Sequence, residues 1–135
     1  MEKSLILETT FLIDLERARR RGRKGPAVDL LTQYADYGLF ITDTIAGEMA
    51  CGKSLSDRSA WEGFVAPFRI LPATPDVDWE YGRLFRFLQD NGVLIGANDI
   101  WVAATGLVYD VPVVTRNGAH YRRIPDLVVI GYAPP

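Results

Sequence analysis

Four polar side chains could do chemistry together if the fold gathers them: Glu8, Glu48, Asp99 and Asn117. Glu8 comes directly after a short apolar run, and Glu48 and Asn117 come a few residues after two others. A carboxylate at the end of a buried run is costly unless a cation or a hydrogen-bond cluster pairs with it. Oxygen ligands suit Mg²⁺ or Mn²⁺ rather than zinc, so a cation that paired with these residues would be a hard divalent one.

The apolar runs themselves predict β-strands, because they are short and rich in branched residues. They span Leu5–Leu7, Leu39–Ile41, Arg69–Leu71, Val111–Val114 and Val128–Ile130, with Arg69–Leu71 the weakest. Helical patterns lie between them, so crossover connections must join the strands. This order indicates an α/β fold with a mainly parallel central sheet of four to five strands, covered on both faces. Ligands of such sheets bind at the carboxyl ends of the strands, where Glu8 falls.

The helical patterns place the other acids. One helix is predicted from Pro26, a second with Asp76 as its cap, and a third with Asn98 as its cap. Asp99 then lies in the first turn of the third helix, where exposed amides favour a carboxylate. Glu48 lies on a short helix opened by Thr42 or Asp43. Taken singly, these acids could be ordinary helix-start or solvated residues, and Asn117 an ordinary turn residue.

Length and composition narrow the class of protein. The 135 residues predict a single domain over residues 1–135, and the net charge of -2 gives no global signal for nucleic acid. One cysteine, Cys51, and one histidine, His120, exclude a disulfide framework and a zinc site made of these ligands. They favour a reducing, cytoplasmic setting. Acids interrupt the N-terminal apolar run, so neither a signal peptide nor a membrane span is expected.

Four segments, taken in order, resemble the successive motifs of PIN-domain nucleases, particularly the VapC-like toxins of bacterial and archaeal toxin–antitoxin pairs. They are LILETTFLIDLE, ITDTIAGEMACG, NDIWVAATGL and VPVVTRNGAHYRRIP. The resemblance covers nearly the whole chain. It implies a PIN-like three-layer α/β/α fold and a Mg²⁺-dependent endoribonuclease, with Mn²⁺ as a possible substitute. It also implies a homodimer and a cognate antitoxin, bound as a hetero-oligomer.

The resemblance assigns catalytic roles to Glu8, Glu48, Asp99 and Asn117. Glu8 and Asp99 would hold the metal, with Glu48 as a further ligand or as a residue that orients water. The family has Asp where this chain has Glu8. Because Mg²⁺ tolerates little deviation from octahedral geometry, the longer arm should weaken catalysis, and Glu8→Asp should raise the cleavage rate. A rate that falls would mean a site built around Glu.

Thr10 and Thr115 match small polar positions that accompany these acids in the family. We expect them to hydrogen-bond the carboxylates and fix their rotamers. Read without the family, each is as well explained as a helix-cap or strand-end threonine.

A basic segment, Arg17–Lys24, holds six of the fifteen Lys and Arg residues. It follows the predicted first helix, whose start lies beside Glu8, so phosphate bound there could run toward the acids. The residues expected to contact RNA are Arg19, Arg20, Arg21, Arg23, Lys24 and Arg116, together with Thr10 and Thr115. Such contacts give an affinity that weakens steeply with salt. A charge run is also often only a solvated helix end.

Two other classes stay open from the sequence, and a third is argued against. A PIN-like protein weakened by Glu8 could bind RNA or an antitoxin without efficient cleavage. A metal-free ribonuclease would use His120 with a nearby acid for acid–base catalysis, and its activity would survive EDTA. A receiver-like domain also gathers acids at strand ends, but it needs a phosphoacceptor Asp and a later Lys on strands, and the sequence has no such pair.

Overall fold

A five-stranded parallel sheet forms the centre of the protein. The computed structural model describes residues 3–132. The strands lie in the order β3-β2-β1-β4-β5. They are β1 (Ser4–Leu7), β2 (Gly38–Ile41), β3 (Arg69–Ile70), β4 (Val113–Val114) and β5 (Val129–Ile130). Every neighbouring pair is parallel. The five predicted strands and the predicted parallel sheet are therefore confirmed.

Helices connect every pair of consecutive strands. They are α1 (Thr9–Arg20), α2 (Pro26–Gln33), α3 (Asp43–Ala50), α4 (Arg58–Val65), α5 (Pro75–Asp90), α6 (Ala97–Tyr109) and α7 (Gly118–Tyr121), with a 3-10 turn at Lys53–Leu55. Within residues 3–132, none of the helices combines the length and the apolar character that a membrane crossing requires.

The strand order places a switch of direction between β1 and β4. From β1 the chain moves outward through β2 to β3, and it then returns past β1 to add β4 and β5. Right-handed connections in opposite directions put helices on both faces of the sheet. Ligands of open parallel sheets bind at such a switch, beyond the carboxyl ends of the strands. Glu8 and Thr115 are the residues that directly follow β1 and β4.

The middle strand is buried along its whole length, and the helix starts differ in part from the predicted ones. All four β1 residues are buried. Pro26 is the first residue of α2, as predicted. Asp76 does not cap α5, because the Thr74 hydroxyl already accepts from the backbone at the helix start. Asn98 does not cap α6 either, because the cap is Gly96 and the helix begins at Ala97. In both helices the observed cap lies two residues before the predicted one, so a cap preference alone does not fix where a helix starts.

Candidate active site

Glu8 is the N-cap of α1 and lies at the switch between β1 and β4. Its side chain is 4 % exposed, and its Oε1 accepts from the Thr10 backbone N–H at 3.1 Å. The Thr10 and Thr115 hydroxyls donate to the same oxygen at 2.5 and 2.6 Å. The hydrogen bonds expected from both threonines are therefore present. They compensate part of the cost of burying a carboxylate.

The same two hydroxyls tie the loop after β4 to the start of α1. The Arg116 backbone N–H donates to Thr10 Oγ1 at 3.0 Å, and the Asn117 backbone N–H donates to Thr115 Oγ1 at 2.9 Å. The two hydroxyl oxygens are 3.2 Å apart. Glu8 is therefore held by two elements that are more than one hundred residues apart in sequence.

Glu48 reaches the site from α3, the short helix predicted for it. The Thr42 hydroxyl caps this helix by accepting from the Ile45 N–H at 3.2 Å. The Glu48 Oε1 accepts from the Thr9 hydroxyl at 2.7 Å. Two consecutive threonines, Thr9 and Thr10, therefore hold two different carboxylates. Thr9 has no role in the sequence-based predictions, although the pair of threonines after Glu8 is evident in the sequence.

Asp99 lies in the first turn of α6, as predicted. Its Oδ1 accepts from the Tyr121 hydroxyl at 3.0 Å, and its Oδ2 is 3.5 Å from His120 Nδ1. The Asn117 side-chain nitrogen lies 2.8 Å from the same His120 nitrogen. The side chains of Asn117 and Asp99 therefore both lie close to the His120 ring. Tyr121 is fully buried, and the sequence-based predictions gave it no role.

The charges around this site are unbalanced. Burial raises the pKa of the Glu8 carboxyl, hydrogen bonds from Thr10 and Thr115 offset part of this, and the negative charge of Asp99 raises the pKa further. The pKa of Tyr121 is raised mainly by burial and then by the charges of Glu8, Asp99 and Glu48. The negative charges of all three carboxylates therefore act on one hydroxyl, which donates to Asp99. Among residues 3–132, no Lys or Arg forms an ion pair with any of them.

The donor set fits a hard cation by chemical type. Carboxylate oxygens are the ligands that Mg²⁺ and Mn²⁺ prefer, and a cation would relieve the repulsion between Glu8 and Asp99. All the side-chain hydrogen bonds given above for Glu8 fall on Oε1, so Oε2 is the oxygen available to a ligand. As the side chains stand, no three His, Cys, Asp or Glu residues in the described part of the chain form a metal-holding group.

The cationic residues predicted to bind RNA are not all at this site. Arg116 is adjacent to it, and its guanidinium lies 3.5 Å from Asp14. Arg19 and Arg20 lie in the last turn of α1, and the remaining predicted residues, Arg21, Arg23 and Lys24, follow its end. An α-helix rises about 1.5 Å per residue, so the length of α1 places this cluster roughly 18 Å from Glu8. The structure brings the acids, both threonines and Arg116 together, but not the basic segment.

Comparison with known proteins identifies the family. The family model described as "PIN domain" matches residues 5–127. The chain belongs to the PIN domain family. This PIN domain is 27% identical over 134 residues to Ribonuclease VapC of Rickettsia bellii, a match that covers 93% of this chain and 94% of the relative. It is 28% identical over 124 residues to Ribonuclease VapC19 of Mycobacterium tuberculosis, covering 90% and 95%.

Solved structures share the fold of this PIN domain. VapBC2 from Rickettsia felis, bound to a DNA fragment from its promoter, superposes with a TM-score of 0.79 at 20% identity, covering 96% of this chain and 99% of the other. FitAcB from Neisseria gonorrhoeae gives 0.76 at 20% identity, covering 94% and 96%. The predicted PIN-like α/β/α fold is therefore confirmed.

Proposed function

We propose that this PIN domain is a Mg²⁺- or Mn²⁺-dependent endoribonuclease and the toxin of a toxin–antitoxin pair. The observation that supports it most is the placement of three carboxylates in one region: the adjacent Thr9 and Thr10 hold Glu48 and Glu8, and the negative charge of Asp99 raises the pKa of Glu8. Crowded carboxylates without a paired Lys or Arg are stable only if a cation joins them or a proton is taken up. The relatives named Ribonuclease VapC match nearly the whole chain and support the same activity.

Each side chain has a role in this proposal. Glu8 and Asp99 would hold the cation, and Glu48 would assist as a further ligand or by orienting water. When bound, a divalent cation supplies a water of lowered pKa and positive charge opposite the attacked phosphate. Asn117 would act as a neutral ligand or position water.

The surrounding hydroxyls fix the acids. Thr10 and Thr115 hold Glu8, and Thr9 holds Glu48. Tyr121 donates to Asp99, and burial among acids keeps this tyrosine protonated by raising its pKa. Each carboxylate is therefore restricted to one orientation before a cation or substrate arrives, which is the usual task of groups behind metal ligands.

The partners follow from the same family. Several structural neighbours are toxin–antitoxin complexes by title, including one from Klebsiella pneumoniae. We propose that this chain likewise pairs with a cognate antitoxin in a hetero-oligomer, that it forms a homodimer, and that it acts in the cytoplasm. Size-exclusion chromatography with light scattering, on the chain alone and on the chain mixed with a candidate antitoxin, tests both assemblies.

A specific observation favours a second candidate, a weakened PIN domain that binds RNA or an antitoxin without efficient cleavage. Three hydrogen bonds converge on a single oxygen of Glu8, and burial raises the pKa of this carboxyl. Both effects oppose cation binding, because a protonated carboxyl is a poor ligand and the three hydrogen bonds leave only Oε2 for a cation. Glu8 is also the position where the chain departs from the family's Asp.

A cleavage assay on total RNA separates the candidates. We expect cleavage with Mn²⁺ or Mg²⁺, none in EDTA, and a strong loss in Asp99→Asn. Asp29→Asn is a matched control, because Asp29 is also in the first turn of a helix but is exposed. A large rate increase in Glu8→Asp would favour the weakened PIN domain, and a decrease would show a site built around Glu. Full activity in EDTA or in Asp99→Asn would refute the metal site and return attention to His120.

A further inference from the structure

The basic segment divides between two sides of α1. One side borders a pocket between the end of α1 and the start of α2. This pocket is lined by Asp14, Arg17, Ala18, Arg21, Arg23, Lys24, Gly25, Pro26 and Ala27. The other side borders a separate groove that contains Glu16, Arg17, Arg20 and Glu48. Only Arg17 borders both, and Arg19 is exposed outside them. The two sides can therefore be tested independently.

The side with the pocket is continuous with the active site. Thr10, Asp14, Arg17 and Arg21 are separated by four, three and four residues, and this spacing places them on one face of the helix. The face begins at Thr10, whose hydroxyl holds Glu8. At 1.5 Å per residue, Arg21 lies roughly 16 Å further along. Arg116 stands beside this face, because its guanidinium is 3.5 Å from Asp14.

The charges of the two sides differ. The pocket has four cations, and its single acid, Asp14, is buried and already paired with Arg116 and the Tyr132 hydroxyl. On the other side, Arg20 is paired with Glu16 at 3.1 Å, and Glu48 adds a second acid to the groove. Outside the basic segment, the chain carries nine Lys and Arg residues against seventeen acids. An approaching polyanion is therefore attracted to the pocket rather than to the groove.

We infer that the pocket at the end of α1 binds backbone phosphates of single-stranded RNA a few nucleotides away from the bond that is cut. The binding residues are Arg17, Arg21, Arg23 and Lys24, with Arg116 between the pocket and the carboxylates. Arg19 and Arg20, which the sequence grouped with them, are excluded. This inference rests on the proposed ribonuclease function. RNA is preferred over an acidic peptide because the cationic face leads directly to the acids that would cut a phosphodiester.

Two double variants with the same change in charge test the inference. Arg21→Gln/Arg23→Gln removes pocket cations, and Arg19→Gln/Arg20→Gln removes neighbouring cations outside the pocket. Both are made in the Asp99→Asn chain, so that the RNA stays intact, which a gel confirms. The probe is a fluorescein-labelled oligouridylate of about twelve nucleotides, within the usual site size of single-strand binders. Its anisotropy gives the Kd over a range of salt concentrations.

At about 0.1 M salt we expect the pocket pair to weaken binding roughly tenfold and the control pair less than about twofold. The pocket pair should also reduce the slope of log Kd against log salt by about 1.4, because each single-strand phosphate contact contributes about 0.7. An oligouridylate of about four nucleotides spans less of the roughly 16 Å between Thr10 and Arg21, so its Kd should respond less to the pocket pair. Thermal melts must show that both variants are folded.

Equal losses in the two pairs would overturn the inference, because a general attraction would then explain the binding. Tighter binding of oligoglutamate than of oligouridylate, lost in the pocket pair, would overturn it in favour of an acidic peptide. Either result leaves the proposed function intact if the unaltered chain still cuts RNA with Mn²⁺. An absence of both RNA binding and cleavage would contradict the proposed function as well.

Discussion

Two buried carboxylates belong to the same helix, and they differ in whether a cationic side chain pairs with them. Glu8, at the start of α1, is 4 % exposed, and Asp14, in the middle of α1, is 5 % exposed. Asp14 lies 3.5 Å from the Arg116 guanidinium and accepts from the Tyr132 hydroxyl at 2.6 Å. Glu8 has three hydrogen bonds and no Lys or Arg partner within residues 3–132, and it feels the negative charge of Asp99.

This contrast separates an acid with a structural role, Asp14, from the acid that we propose holds a cation, Glu8. A buried carboxylate with a counterion and a hydrogen bond joins the elements that contribute those partners, and removing one partner is costly. Asp14 does this for α1, the loop after β4 and the segment after β5. A buried charge without a counterion is destabilising, and such groups concentrate where a ligand completes the charge balance. The missing counterion of Glu8 is therefore better evidence for a cation site than the burial of this carboxylate.

The largest expected effect separates the two acids by activity. Glu8→Gln keeps the size of the side chain but removes the charge that would hold the cation. Cleavage in Mn²⁺ should fall on the order of 100-fold, the scale seen when one group stabilising transition-state charge is lost. Asp14→Asn should lower the rate far less, because Asp14 acts only through Arg116. Initial rates on a labelled RNA measure both, and similar losses would erase the distinction.

The next largest effect concerns stability, where Asp14 should matter more than Glu8. Asp14→Ala leaves the Tyr132 hydroxyl without its acceptor and the Arg116 guanidinium without its counterion, and it should cost about 2 kcal/mol of unfolding free energy. The estimate is below the usual cost for a broken buried pair because the Arg116 side chain is 37% exposed and keeps solvent contact. Urea denaturation measures it. Asp29→Ala, at an exposed helix position, should have little effect.

A pH series sharpens the contrast at Glu8. The folded-state pKa of Glu8 is raised, so its protonated form stabilises the fold at low pH, and this contribution is lost as pH rises through the folded pKa. In EDTA, Glu8→Gln should therefore melt above the unaltered chain at neutral pH. The difference should shrink as pH falls below the unfolded-state pKa of about 4.3. A difference independent of pH would mean that charge at Glu8 is not responsible.

The smallest expected effect concerns the threonine hydroxyls that donate hydrogen bonds to Glu8. Thr115→Val removes one donor to Glu8 and should cost about 1 kcal/mol, with a further rise in the pKa of Glu8. Thr32→Val is the control, because its hydroxyl donates only to the Val28 carbonyl on an exposed helix face. NMR titration of the carboxyl carbon in EDTA reads the pKa. An unchanged value would show that Thr115 does not support the charge.

The predictable features of this molecule are local ones. The five strands follow from apolar runs, and Asp99 follows from the preference for acids in a first helical turn. Thr9 and Tyr121 were missed because their partners, Glu48 and Asp99, are distant in sequence. The basic segment shows a related limit. The run of cations was visible, but its division between a pocket and a groove depends on which helix face each residue occupies.

The sequence by itself determined the strands, the parallel sheet and the identity of the acids, because hydrophobic period and helix-end chemistry act over a few residues. It also carried the family likeness. Only the tertiary structure decided which acids lack counterions, since Asp14 and Glu8 differ in partners contributed by the loop after β4, and Asp14 also by the segment after β5. Charge balance in a buried site is a sum over neighbours in space, and folding alone assembles those neighbours.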